Sequence, residues 1–123
     1  MEKTVALAIE ALEPDEATRL VCALALGLLR AVQDKAMALE EAERMLFSPR
    51  TAHILQHKGL GPELSQLILD CCELEDVLSL IPEHFAYSVE ALAERFSSLL
   101  KGDLGYEERT RKKAGWVDLY VIR

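Results

Sequence analysis

Aromatic side chains are scarce, at 6% of 123 residues. A β-sandwich leans on such residues together with Val and Thr. Their shortage, beside an excess of Leu and Ala, points to helices packed on helices. Long apolar runs are also missing. The longest, Leu20 to Leu29, is closed by Arg19 and Arg30, and as a helix it would rise about 15 Å, half of a bilayer core. The opening Met1-Glu-Lys lacks the apolar stretch and small-residue cleavage site of a secretory signal. The expectation is a cytoplasmic protein with no membrane partner.

Cysteine is sparse and odd in number, and Cys71 and Cys72 are adjacent, a poor layout for a disulfide framework. All three cysteines sit in apolar helical context, where buried reduced thiols are ordinary. There is no Gly-rich phosphate loop, no Gly-x-Ser-x-Gly elbow and no Cys/His pairing at a recognisable spacing. No cofactor is implied.

What is present is ample apolar material: 50% of residues are hydrophobic and 28% charged, enough for one real core and against general disorder. Charge is unevenly spread. Residues 1–100 hold 17 acids and 8 bases, and residues 101–123 hold 4 acids and 6 bases, within a net −7. An acidic body repels phosphates and lipid head groups, which argues against nucleic acid as a partner.

Periodicity divides the chain into a helical domain, 1–102, and a polar linker with a strand-like tail, 103–123. The first segment, 3–12, is ambiguous. Val5, Ala8, Ile9 and Leu12 fit a helix, while Val5, Leu7 and Ile9 alternate like a strand. Pro14-Asp15-Glu16 opens a helix that runs to about Asp34. Its middle is apolar on every face, which predicts a central helix buried all round, with Leu24 in the core and Gly27 admitting a close neighbour.

A further helix is expected from Leu39 to Phe47, with Leu39, Ala42, Met45 and Leu46 inward. The next is capped by Ser48 and Pro49 and closed at Gly59, with Leu60 folding back on Leu55. Another starts at Gly61-Pro62 with Leu64, Leu67, Ile68, Cys71 and Leu74 on one stripe. The last spans roughly Glu83 to Lys101 on Phe85, Val89, Leu92, Phe96 and Leu99, and Gly102 ends it. The fold class is therefore mainly α, a compact bundle of about five or six helices. Its tail, Trp116 to Ile122, has strand character. That strand needs a partner, either the N-terminal segment or a second chain.

Candidate sites are few. His53 and His57 share a helix face at i, i+4, but the zinc-protease pattern needs Glu after the first His, and Ile54 stands there. Two surface histidines are expected, with no metal. Asp70, Cys71, Cys72 and Glu73 do not converge, because adjacent helical residues diverge by about 100°. Glu73, Glu75 and Asp76 form an acidic helix junction that reads as a solvated face or a partner-binding one. Trp116 and Tyr120 complete the candidate partner-binding residues. The basic run Arg109-Thr-Arg-Lys-Lys113 reads as a solubilising linker.

The segments Glu40-Glu-Ala-Glu-Arg-Met-Leu-Phe-Ser-Pro49 and Glu73-Leu-Glu-Asp-Val-Leu-Ser-Leu-Ile-Pro82 resemble a bacterial family of short helical proteins of unknown function. The resemblance covers roughly residues 18–100. It implies a helical fold and a bacterial, cytoplasmic source, and carries no catalytic residues across.

These features point to a non-catalytic binding protein whose partner is another protein or a second copy of itself. An immunity protein masking a toxin's basic site is one example, since opposite potentials speed such encounters. Homodimerisation through the tail is equally open. The alternative is a small enzyme whose polar groups, His84 or the 73–76 acids, meet only in three dimensions.

Overall fold

A computed structural model of the protein describes residues 6–102 and 117–122. Helix α1, Pro14–Gln33, starts as its sequence dictates: proline occupies the first turn, and Asp15 and Glu16 sit at the positive end of the dipole. Cys22, Ala25, Leu28, Leu29 and Val32 form its buried stripe. The helix closes in a Schellman turn, with Ala36 N–H donating to Ala31 O at 2.9 Å and Lys35 N–H to Val32 O at 3.1 Å. Lys35 takes the left-handed position there, at φ 60°, where glycine would be less strained.

The expected all-round burial of α1 does not hold. Leu24 is 44% exposed, Ala23 and Gly27 are exposed, and among the described residues no atom beyond the helix's own nearby backbone lies within 4 Å of where a Gly27 Cβ would stand. One side of α1 packs closely against α6, Phe85–Lys101, so α1 is an outer helix with one covered side. Arg19 donates to Leu100 O near one end of the pair. Arg30 meets Glu90 at 2.5 Å near the other, so the two helices run antiparallel.

Helix α2, Leu39–Met45, buries Leu39 and Ala42. It stops before Phe47, which is itself buried, and Ala42 O accepts from both Leu46 and Phe47 N–H. Met45, expected inward, is 59% exposed. In α3, Pro49–His57, the Ser48 side chain caps the Thr51 N–H at 3.2 Å. Gly59 at φ 75° and a Leu60 N–H to Leu55 O bond of 3.2 Å close it as expected.

Helix α4, Pro62–Cys72, buries Leu64, Leu67, Ile68 and Cys71. It passes through Glu73 into the two-turn α5, Leu74–Leu80. Pro82–His84 forms a 3-10 turn, which moves the start of α6 from Glu83 to Phe85. Val89, Leu92, Ala93 and Phe96 are the buried stripe of α6. The anticipated five or six helices thus become four of nine residues or more (α1, α3, α4 and α6) among the described residues, joined by the seven-residue α2 and α5. Helices that short do not stand alone; they are set by packing.

The ambiguous N-terminal segment is a strand. β1, Ala6–Ala11, pairs antiparallel with β2, Val117–Ile122, in the register Ala6↔Ile122 to Ala11↔Val117. Both chain ends are thereby joined at the α1 start. Glu10 and Asp118 are register partners in this ribbon. Leu7, Ile9 and Leu119 share the other face and are exposed. Pairing with a second chain is not seen; the strand's partner is the chain's own N-terminal segment.

Candidate functional site

The acids singled out at the α4–α5 junction separate. Glu73 is the junction residue itself, and Glu75 and Asp76 occupy the first turn of α5, all exposed. Glu75 reaches a residue the sequence did not mark, Glu43 on α2. The Glu43 carboxyl is pushed above its usual range, first by partial burial, then by the charge of Glu75 and a hydrogen bond with it, then by Glu40. A carboxyl raised in this way can act as an acid/base group or stay structural. Glu43 lies within an acidic run, Glu40-Glu-Ala-Glu43, that reads as solvated face. Its partner is 32 residues away along the chain, so spacing gave no signal.

The thiols are protonated at neutral pH. Burial pushes Cys22 up to about 11 and Cys71 up to about 12. Cys72 is raised by burial and then by Glu43 and Glu73, and donates to Ile68 O at 3.3 Å. Thiols held in this form are poor nucleophiles. The His53 and His57 rings stack at a centroid distance of 6.2 Å, and both residues are exposed. Among the described residues no group of three or more His, Cys, Asp or Glu is placed to hold a metal ion. His84 ends the 3-10 turn, exposed.

Of the two tail candidates, Trp116 lies outside the described residues, and Tyr120 stands on β2 opposite Ala8.

A more pronounced surface lies at the other end of the α1–α6 pair. A cleft of about 430 Å³ opens there, walled by Val32, Met37, Leu39, Leu78 and Phe85, with Lys35 and Glu41 at its sides. The α5–α6 corner exposes Leu78 at 44%, Leu80 at 76%, Ile81 at 41% and Tyr87 at 79%. Of these four, Leu78 also lines the cleft; exposed apolar residues that form a contiguous patch mark interaction surfaces. Acids stand near them along the chain. Glu75 precedes Leu78 by one turn, Asp76 precedes Leu80 by one turn, and Glu83 lies in the 3-10 turn between Ile81 and Phe85. The sequence marked the acids and missed the apolar corner, because Val77-Leu-Ser-Leu-Ile81 also reads as core.

The fold defines a small, mainly helical domain whose chain ends meet in a two-stranded ribbon. Among the described residues no helix is long and apolar enough to cross a membrane. The chain belongs to the family described as a protein of unknown function, DUF3969, which matches residues 12–117. The match takes in every helix, while β1 and all of β2 after Val117 lie outside it. No curated protein and no solved structure matches the chain.

Proposed function

We propose that the protein works by binding another protein, through the α5–α6 corner, and performs no chemistry of its own. The observation that carries this reading is the exposure of Leu78, Leu80, Ile81 and Tyr87 from α5 to the start of α6, with Leu78 also lining an open cleft. Leaving four large apolar side chains in water costs hydrophobic free energy that a partner would recover. A bacterial, cytoplasmic binder of immunity or regulatory type fits the acidic composition. The β-ribbon, with free edges and an apolar face at Leu7, Ile9 and Leu119, offers a separate route to self-association.

The second reading, a small enzyme, is favoured by the Glu43 carboxyl, which partial burial and the neighbouring Glu75 push above its usual range. Glu75 is exposed and Glu43 half-buried.

The test is affinity capture from native lysate by the wild-type chain, Leu80→Glu, Tyr87→Glu and the control Ile54→Glu, which alters an exposed apolar residue on α3. A specific protein retained by wild type and control, and lost with both corner variants, supports the reading. Equal retention by all four overturns it.

A further inference from the structure

We propose that His53 and His57 on α3 form an open, two-point site for a late transition-metal ion, copper(II) before nickel(II), with water in the remaining positions. The site stands apart from the α5–α6 corner and does not depend on the binding reading.

The helix sets the spacing. Residues four apart lie one above the other on a single helix face, about 5–6 Å between Cβ atoms. The two imidazole planes are near-parallel, at 18°, with ring centroids 6.2 Å apart. An ion about 2.0–2.1 Å from one nitrogen of each ring fits between them once the rings turn towards it. Both residues are exposed, so the rings have room to turn. Neither ring is held elsewhere: among the described residues His53 and His57 make no hydrogen bond or ion pair.

Ring chemistry selects the ion. Imidazole nitrogen suits copper, nickel and zinc, and leaves magnesium and calcium to oxygen ligands. Zinc favours four ligands in a tetrahedron, and among the described residues no third His, Cys, Asp or Glu joins the pair. Copper(II) and nickel(II) take tetragonal sites of nitrogen and oxygen. Two rings one turn apart would fill neighbouring corners of such a site, and water the rest. Copper(II) leads because it binds a given donor set most tightly of the divalent first-row ions.

The surroundings set how firmly the ion is held. His57 occupies the last turn of α3, whose negative end favours a cation. Arg50, three residues before His53, and Lys58, next to His57, oppose one, which keeps the ion exchangeable. Ile54 stands where zinc proteases carry their general base, so the pair binds without a catalytic group beside it.

The test is isothermal titration calorimetry of the tag-free full chain with copper(II) chloride, nickel(II) chloride and, as the blank, magnesium chloride. One ion per chain is expected, copper binding more tightly than nickel and magnesium giving no heat. His53→Gln and His57→Gln should each weaken copper binding about tenfold or more, because the second donor no longer stands at the first one's side. His84→Gln and Cys72→Ser, which alter another exposed imidazole and the least buried thiol, should leave it unchanged. Electron paramagnetic resonance of the copper complex should show two imidazole nitrogens, and acidification should release the ion by protonating them. Circular dichroism confirms that every variant keeps its helices.

Absence of copper binding to the wild-type chain overturns the inference. So does binding that survives both histidine substitutions, or an equal loss with His84→Gln or Cys72→Ser. One ion per two chains overturns it too, since a second copy's ligands would then complete the site.

Discussion

Glu43 on α2 stands beside Glu75 on α5, and partial burial, followed by the Glu75 carboxyl, holds the Glu43 carboxyl above its ordinary range. The folded state therefore holds this proton more tightly than the unfolded chain does. Its contribution to stability is full below about pH 4, where both states are protonated, and is lost as pH rises through the raised value. Glu43→Gln keeps a hydrogen-bonding group and removes the charge. The variant should melt higher than wild type at pH 7, with the gap closing near pH 4. Thermal melts at the two pH values check this, and a gap that widens on acidification would contradict it.

Phe96 and Leu24 separate the covered and open sides of the α1–α6 pair. Phe96 is fully buried and Leu24 is 44% exposed. Phe96→Ala should cost about 3–5 kcal/mol. Leu24→Ala should cost about 1 kcal/mol or less, since much of its surface is already in water. Urea titration of both variants reads the difference through the midpoint at constant slope.

Gly27 sits mid-helix with open space where a side chain would go. A mid-helix glycine costs roughly 0.5–1 kcal/mol relative to alanine. Gly27→Ala is therefore expected to stabilise the protein by about that amount in the same titration. A loss instead would mean that something approaches the helix there.

Much of the fold was legible because its signals are local. The Ser48 cap, the Gly59 closure and the Gly61-Pro62 start each lie within a few residues of the boundary they set, and the structure repeats them. The stripes of α4 and α6 were legible for the same reason. The phases of Leu24 and Met45 were not, because burial depends on what lies across the helix, and on that side of α1 little does. The strand at Ala6–Ala11 was ambiguous because its partner begins at Val117, at the opposite end of the chain. The candidate site divided similarly. Its acids stood out as charges in a row, while Leu78, Leu80 and Ile81 carried a core-like pattern that their exposure contradicts.

Deleting residues 114–123 removes β2 and leaves β1 with unpaired backbone groups along both edges. The helices keep their buried stripes, so far-ultraviolet circular dichroism should hold its helical signal. The bared strand and its exposed Leu7 and Ile9 should lower solubility or raise the mass in light scattering. Loss of helix would place the ribbon within the core instead.

The most direct measurement of the binding face is photo-crosslinking in cells, with a photoreactive amino acid in place of Leu80, of Tyr87, or of Ile54 as the control. Positions 80 and 87 should give an adduct of one defined mass to another protein, and position 54 should not. Adducts equal at all three positions, or adducts at 80 and 87 made solely of two copies of this chain, would contradict a dedicated partner-binding corner.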